Sequence, residues 1–407
     1  MTASAQSTRG ELARHPKLAA LALATTAVIG LPTAQATAQP LPFPFDTGSL
    51  GSDGPGVPTE DTLPELTVTP VLDGLDHPWD AVQAPDGAVL TGQRAGGFFV
   101  RRADGTTGPV TADLSDLYAQ SETGLMGIAL SSNFAQSRTL YTCQGFQGGD
   151  VTDIRIQSWT VDAGWTTLTR GAAILTGIPV NEGRHGGCRI LTAADGTLFI
   201  GTGDTAQPTV SQEPNSLGGK TLHINTDGTP AAGNPDPASP VYTLGHRNAQ
   251  GLAQQPGTGR IYAVDQGTAR DDEVNLLVAG GNYGYKPDRI PGIYDESVPM
   301  TDPSRVPGAV AAAWSSGSTT LATGSAAFVT GSGWGPWDGA LVMGGLKTKQ
   351  LIFLRLAADG QSVTAQTFGL QNQYGRLRSV TPTVDGSLLV TTDNGSADQV
   401  LRVTPQG

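Results

Sequence analysis

Charged side chains are scarce in this 407-residue sequence, where they make up 15% of the residues, against about 25% in an average soluble domain. Basic residues are the rarer kind: 24 Lys and Arg stand against 36 Asp and Glu, for a net charge of −12. No run of basic residues occurs anywhere in the chain. Because nucleic-acid binders need a concentrated positive surface to neutralise phosphates, the composition argues against nucleic acid as a partner.

Long apolar runs are also missing, with one exception near the start. Leu18 to Leu31 gives fourteen uncharged, mostly apolar residues, fewer than the ~20 that a membrane-spanning helix needs. Arg9, Arg14 and Lys17 precede this run, and an A-x-A site ending at Ala36 follows it. This order is typical of a secretory signal peptide. We therefore predict a signal peptide over residues 1–36, no membrane span, and a secreted protein, either extracellular or periplasmic.

Cysteine occurs twice, as Cys143 and Cys188. An oxidising compartment outside the cytosol permits a disulfide between them. Two separate buried thiols are the alternative, because the sequence gives no distance between the two Cα atoms.

Helical periodicity is absent after the signal segment, whereas turn residues are abundant: the chain contains 55 Gly and 28 Pro. A short unit recurs, consisting of an Asp, Asn or Gly turn followed by alternating β-formers, which is typical of hairpins. Six such units begin at Pro85, Asn133, Ala194, Pro256, Trp337 and Val384.

Six units in this length leave about 57 residues for each, enough for one four-stranded blade with long loops. The sequence therefore predicts an all-β fold, a six-bladed β-propeller of four-stranded antiparallel blades over residues 66–407. A pair of β-sandwiches is the alternative. Residues 37–65, rich in Pro and Gly, are expected to form a linker or N-terminal arm.

Histidine is a natural general base near neutral pH, and only four histidines follow the signal segment. His185 lies in the glycine-rich run GRHGGCR, where small neighbours allow a ligand to approach closely. On the residues alone, His185 is either such a base or a turn histidine bonded to a backbone carbonyl. His246 is expected to be a packed structural histidine, as are His77 and His223.

Lysine is equally scarce, which makes Lys347, next to a Gly-Gly-Leu sequence, conspicuous. Arg376 and Arg378 are two residues apart, so on a strand they would point to the same face. Three cations of this kind suit a ligand with several carboxylates. A solvated strand face is the alternative.

Five segments together carry a family resemblance: GRHGGCR from Gly183, YTLGHRNAQGL from Tyr242, DQGTARDDEVN from Asp265, GLK from Gly345 and GRLR from Gly375. They resemble the glucose/sorbosone dehydrogenase family, the soluble aldose sugar dehydrogenases that use pyrroloquinoline quinone (PQQ) and are therefore quinoproteins. LDHPWDAVQAPDG from Leu75 and ETGLMGIAL from Glu122 resemble the opening blades of that family. The resemblance extends over roughly residues 66–405.

The resemblance implies a sugar dehydrogenase that oxidises an aldose at C1 to the lactone. His185 falls on the position of the catalytic base that removes the C1 hydroxyl proton, while a hydride passes to the quinone. Arg247 and Asn248 fall on residues that approach the quinone carbonyl. The electrons would then pass to an acceptor that the sequence does not identify.

The resemblance also assigns the residues that hold the cofactors. Lys347, Arg376 and Arg378 match the cradle for the three PQQ carboxylates, and Glu122 matches a polar residue near the sugar and the cofactor. The loop from Gln266 matches one whose backbone oxygens, here those of Gly267 and Thr268, hold a calcium ion. Carbonyl oxygens suit this hard cation. The acidic residues 271–273 are as well explained by fixing that loop as by binding a metal.

Two other functions remain open. One is a non-catalytic propeller that binds a glycan or a protein partner. The other is a calcium-dependent propeller lactonase, which would need carboxylate and Asn side chains converging on the metal. No GxGxxG motif follows a strand and opens a helix, so a nicotinamide or flavin cofactor on a Rossmann unit is not expected.

Overall fold

The computed structural model describes residues 57–59 and 63–406. The predicted signal peptide and most of the predicted linker lie outside the described residues. Within them, one α-helix (α1, Phe134–Ser137) and two 3₁₀ helices (Val210–Gln212 and Ser332–Trp337) accompany 24 strands. The prediction of an all-β chain is confirmed. No helix in the described residues has the length and apolar character needed to cross a membrane.

Three consecutive sheets each contain four antiparallel strands in chain order. The first holds β10 to β13 (Gly187–Thr192, Leu198–Thr202, Lys220–Ile224, Val241–Leu244). The second holds β14 to β17 (Ala249–Gln254, Ile261–Asp265, Glu273–Leu276, Trp314–Ser315). The third holds β18 to β21 (Thr323–Phe328, Leu341–Gly345, Gln350–Leu356, Val363–Gly369).

A fourth four-stranded sheet joins the two ends of the fold. It contains β22 (Leu377–Pro382), β23 (Leu388–Thr392), β24 (Asp398–Gln406) and, on its outer side, β1 (Glu65–Leu75). Strand β1 runs antiparallel to β24 along most of its length. Hydrogen bonds between the first and last strands therefore hold the chain closed.

The remaining eight strands form one sheet instead of two. They are β2 to β5 (Pro78–Gln83, Val89–Gln93, Phe98–Arg101, Thr107–Ala112) and β6 to β9 (Leu125–Leu130, Thr139–Gly148, Val151–Val161, Thr167–Ile178). Each group is an antiparallel run of four, and a short parallel pairing between β5 and β9 joins the two groups. Four-stranded antiparallel runs are thus confirmed, but two of them share a sheet. This edge contact is long-range, and no local pattern predicts it.

The Asp-Gly units form the tight turns that the sequence predicts. Between β10 and β11, the Asp195 carboxylate accepts hydrogen bonds from the backbone N–H of Thr197 at 3.0 Å and from its hydroxyl at 2.6 Å. Gly196 follows Asp195 with a φ of +87°, a conformation that glycine adopts at no steric cost. Asp therefore bonds the backbone across the turn, and Gly supplies its left-handed residue.

The first strand of each four-stranded run lies innermost. Strands β2, β6, β10, β14, β18 and β22 contact one another in that order, and β22 contacts β2 again. Buried apolar side chains fill the space between neighbouring sheets, such as Met126, Ile154, Ile190 and Leu222 in one cluster. The six inner strands therefore surround one common centre.

Cys143 on β7 and Cys188 on β10 form a disulfide, with their Cα atoms 5.4 Å apart. Of the two alternatives left by the sequence, the structure has the disulfide. It ties the eight-stranded sheet to the sheet of β10–β13. Since Cys188 is three residues from His185, the crosslink also anchors the histidine-bearing loop.

Candidate functional site

The loop before β10 has an unusual backbone. Five of its residues from 182 to 188 adopt positive φ values: Glu182, Gly183, His185, Gly187 and Cys188. A Cβ on Gly183 would lie 1.9 Å from the Gln120 carbonyl oxygen. This contact explains why that position of the run is glycine. His185 itself, at φ +44°, is held in a conformation that costs energy for a non-glycine residue.

The imidazole of His185 is buried and bonded at both nitrogens. Its Nδ1 lies 2.8 Å from Asp204 Oδ1, and its Nε2 lies 3.0 Å from Arg247 Nη2. A guanidinium can only donate, so Nε2 acts as the acceptor and the ring proton is on Nδ1, donated to Asp204. The structure therefore presents a neutral imidazole with its basic nitrogen facing Arg247. A bond from this ring to a backbone carbonyl, the alternative from the sequence, is not found among the described residues.

Asp204 and Tyr294 complete the surroundings of the imidazole, and sequence reasoning missed both. The Tyr294 hydroxyl donates to Asp204 Oδ2 at 2.7 Å, and the Tyr285 hydroxyl donates to Tyr294 at 3.0 Å. Burial raises the pKa of both tyrosines well above its usual value, so both keep their protons. The only signal for Asp204 was its place after a buried strand in GTGDT. For Tyr294, in a long loop, no signal was available.

Asp265, at the end of β15, fixes the backbone that carries Arg247. Its carboxylate accepts hydrogen bonds from the backbone N–H of Arg247 at 3.1 Å and of Asn248 at 2.6 Å. The same carboxylate lies 3.1 Å from Nδ1 of His246. His246 is fully buried and stacks on Tyr283 at 4.7 Å between ring centroids. This agrees with the expectation that His246 is structural.

Asn248 and Glu122 lie beside the histidine loop. Asn248 Oδ1 accepts the backbone N–H of Gly187 at 2.9 Å, and Asn248 Nδ2 donates to Glu122 Oε2 at 3.1 Å. The backbone N–H of Glu122 donates in turn to the Gly183 carbonyl at 3.1 Å. The structure thus brings Asn248 and Glu122 together with His185, although these three residues precede strands of three different sheets.

Arg376, just before β22, and Arg378, on β22, both reach one carboxylate. Their Nη2 atoms donate to Asp393 Oδ2 at 3.1 and 2.9 Å. Arg378 Nη1 also donates to Gln250 Oε1 at 3.2 Å. Since Gln250 lies on β14, two residues after Asn248, this contact connects the arginine pair to the histidine side of the site.

Lys347 follows β19 in the neighbouring sheet. The end of that strand packs against the start of β22: a Cβ on Gly344 would lie 2.7 Å from the Leu377 carbonyl oxygen. The Lys347 side chain is exposed, and its ammonium forms no hydrogen bond or ion pair within the described residues. Among the described residues, Arg376 and Arg378 share one carboxylate, Asp393, and Lys347 pairs with none. The region is positive in a protein whose net charge is −12.

The loop after β15 offers carbonyl oxygens at the place predicted for calcium. Arg247 Nη1 donates to the carbonyls of Gln266 at 2.8 Å and of Gly267 at 3.2 Å, so these two oxygens point at one position. The structure gives no such contact for the Thr268 carbonyl. No cluster of three or more His, Cys, Asp or Glu side chains able to hold a metal occurs in residues 57–59 and 63–406. The Gly267 carbonyl, one of the two predicted backbone ligands, is bonded by a guanidinium in this structure.

Unsatisfied donors show that the positive region suits a ligand with several acceptors. Nε of Arg247 and Nε of Arg378 are buried and have no hydrogen-bond partner among the described residues. Buried donors normally find a partner. Together with the free ammonium of Lys347, they fit a polycarboxylate such as PQQ.

A cavity of about 490 Å³ lies next to Tyr294, whose hydroxyl is 3.4 Å from His185 Nδ1. Its wall includes Arg184, Tyr294 and Glu296. Glu296 Oε1 lies 2.8 Å from Arg184 Nη2 and 3.7 Å from Arg247 Nη2. A small polar molecule entering this cavity would therefore meet hydrogen-bonding groups close to His185.

A second cavity, of about 400 Å³, lies among the later residues of the inner strands. Its walls are mostly apolar and include Leu252, Ala326 and Val380. None of the predicted site residues lines this cavity, so it is distinct from the site.

Comparison with known proteins places the chain in a family. The family model described as glucose/sorbosone dehydrogenase matches residues 75–402. The aldose sugar dehydrogenase YliI of Escherichia coli is 26% identical over 359 residues, which cover 84% of this chain and 93% of that protein.

Solved structures agree with this match. The PQQ-bound form of aldose sugar dehydrogenase from Streptomyces coelicolor has a TM-score of 0.68 at 29% identity, covering 84% of this chain and all (100%) of that one. An oxidoreductase (glucose dehydrogenase) from Thermus thermophilus has a TM-score of 0.71 at 31% identity, covering 83% of this chain and 100% of that one. This chain belongs to the glucose/sorbosone dehydrogenase family.

Proposed function

We propose that this protein is a PQQ-dependent quinoprotein that oxidises an aldose sugar at C1 to the lactone. The observation that carries the proposal is a buried, neutral His185 connected through Asn248 and Gln250 to a positive region containing Arg378. A base beside a polycarboxylate-binding site is what such a reaction requires. The PQQ-bound relative from Streptomyces coelicolor supports the choice of cofactor.

The fold that supports this function is a six-bladed propeller over residues 66–407. The eight-stranded sheet counts as two blades, because each half is an antiparallel run of four strands whose first strand lies innermost. Residues 1–36 would be removed as a signal peptide, residues 37–65 would form an arm, and the mature protein would act outside the cytoplasm.

Lys347, Arg376 and Arg378 would hold the carboxylates of PQQ, with charge-assisted hydrogen bonds. Arg247, Asn248 and Glu122 would contact the rest of the cofactor, and the carbonyls of Gly267 and Thr268 would hold calcium against it. When bound, PQQ supplies the quinone that accepts the hydride from C1 of the sugar. An unidentified acceptor would then take the electrons.

His185 would accept the C1 hydroxyl proton at Nε2. This turns the ring into an imidazolium, which Asp204 stabilises through Nδ1–H without taking the proton itself. Tyr294, protonated, keeps the other Asp204 oxygen occupied and so fixes the carboxylate. His185 would thus take one proton at Nε2, while Asp204 and Tyr294 hold the ring in position.

The test is reconstitution of the purified full-chain protein with PQQ and CaCl₂. We expect an absorption band of bound quinone and reduction of a redox dye when aldoses are added. Arg378→Ala should weaken PQQ binding roughly ten- to a hundred-fold, since a hydrogen bond to a charged group contributes ~1.5–3 kcal/mol. Arg402→Ala, on the exposed face of β24, is the matched control and should bind normally.

Other outcomes decide between the alternatives. Calcium-dependent lactone hydrolysis without PQQ binding would favour the lactonase, for which the described residues offer no carboxylate cluster. Binding of a glycan or protein without either activity would favour the non-catalytic propeller.

A further inference from the structure

A buried carboxylate outside the predicted ligand set connects two parts of the site. Asp272 has no exposed surface, and it forms no ion pair with any described residue. Its carboxylate accepts four hydrogen bonds. Oδ1 accepts the backbone N–H of Gly267 at 2.8 Å, and Oδ2 accepts the N–H of Leu321 at 2.5 Å, the N–H of Ala322 at 3.0 Å and the Thr320 hydroxyl at 2.9 Å.

Each of these amides lies in a segment that carries a predicted cofactor contact or is hydrogen-bonded to one that does. The carbonyl of Gly267 is one of the two that point at Arg247. The carbonyl of Leu321 accepts the backbone N–H of Lys347 at 3.0 Å, and that of Ala322 accepts the N–H of Leu346 at 2.9 Å. A continuous line of hydrogen bonds therefore runs from Arg247 through Gly267, Asp272 and Leu321 to Lys347.

This line crosses between two sheets. Gly267 and Asp272 lie between β15 and β16, whereas Lys347 lies between β19 and β20. A carboxylate that accepts amides from both sides fixes their separation. Burial of a charge without an ion-pair partner is costly unless hydrogen bonds satisfy it, as the four at Asp272 do. Such a residue is expected only where its hydrogen bonds are needed.

We infer that Asp272 is a positioning residue that sets the carbonyl loop at Gly267 and the Lys347 turn at the spacing that PQQ and calcium require. The inference rests on the proposed function and adds a residue to it. Asp272 touches neither cofactor. Asp272 accepts the backbone N–H of Gly267, so its negative charge lies close to the carbonyls of that loop and favours a divalent cation there.

The experiment compares Asp272→Asn with wild type in the full-chain protein. An Asn side chain has one acceptor oxygen and one amide donor, so in either orientation at least one backbone N–H loses its acceptor. PQQ titrations at fixed CaCl₂, and CaCl₂ titrations at fixed PQQ, are followed by quinone absorbance and calorimetry. We expect both dissociation constants to rise at least tenfold. Asp153→Asn, which removes a buried carboxylate that accepts the Gly177 amide elsewhere, should lower the melting temperature but leave both constants unchanged.

A double-mutant cycle separates positioning from general destabilisation. If Asp272 acts through Lys347, the losses of PQQ affinity in Asp272→Asn and Lys347→Ala are less than additive in the double variant. Strict additivity, or unchanged dissociation constants in a folded Asp272→Asn protein, would overturn the inference. If wild type itself bound no PQQ, the proposed function would fail instead, and the two failures are therefore distinguishable.

Discussion

The His185 ring accepts from Arg247 at Nε2 and donates to Asp204 at Nδ1, so Nε2 is the basic nitrogen, and a substrate hydroxyl reaches it by displacing the Arg247 N–H. His185→Gln keeps a side chain of similar size but removes the base, so we expect kcat to fall roughly 10²–10⁴-fold. The PQQ dissociation constant should stay within a few-fold, because the positive region belongs to other strands. Stopped-flow sugar oxidation and PQQ titration measure the two quantities.

His223→Gln is the control for that substitution. His223 lies between Asn234 and Thr197, and its ring stacks on Phe199, so its loss should affect stability only. A loss of activity in His185→Gln that merely follows lost PQQ would make His185 a binding residue, contrary to the prediction.

For single residues, the sequence identifies those whose chemical role is indicated by their immediate neighbours in the chain. His185 stands in a glycine-rich segment, and Arg376 and Arg378 are two residues apart at the start of β22, so their type and spacing carry information. Asp204 and Tyr294 could not be found this way. They lie 19 and 109 residues beyond His185, and only the packing of separate loops brings them to its ring.

The β15–β16 pair places two carboxylates opposite each other, since Asp265 pairs with Glu273. The Asp265 carboxylate accepts hydrogen bonds from the amides of Arg247 and Asn248. Burial, together with the charge of Asp265, raises the pKa of Glu273 from 4.5 to about 8. The folded protein therefore keeps a proton on Glu273 at neutral pH.

This pairing makes stability depend on pH. Between pH 4.5 and 8 the unfolded chain releases the Glu273 proton while the folded protein keeps it, so the free energy of unfolding decreases as pH rises. Glu273→Gln removes this dependence. We expect little change in melting temperature at pH 4.5 and a stabilisation on the order of a few kcal/mol at pH 8.5.

Thermal unfolding of both proteins across this pH range checks the prediction, with Glu213→Gln at an exposed position as the control. A constant difference between Glu273→Gln and wild type at all pH values would show that Glu273 is ionised in the folded state.

For the whole molecule, turn chemistry was enough to predict the strands but not the way their edges meet. Asp-Gly turns and alternating β-formers are local, and they located the antiparallel runs. The joining of β5 to β9 depends on two strands separated by more than 50 residues of chain, and only two residue pairs form it: Thr111 with Thr167 and Ala112 with Leu168. The sequences of β5 and β9 do not themselves indicate that the two strands pair.

That small parallel contact covers part of the outer edges of β5 and β9. An outer strand with unpaired N–H and C=O groups is a template on which another chain can add, and here two such strands cover each other. Thr111→Pro removes the N–H that donates to the Thr166 carbonyl at 2.9 Å, whereas Thr111→Ala keeps it. We expect the proline variant alone to form aggregates on mild heating, measured by light scattering, while bound PQQ and sugar oxidation stay unchanged below that temperature. Equal scattering from both variants would contradict this. Two residue pairs between β5 and β9 would thus limit how concentrated a solution of this protein can become before its sheets begin to join.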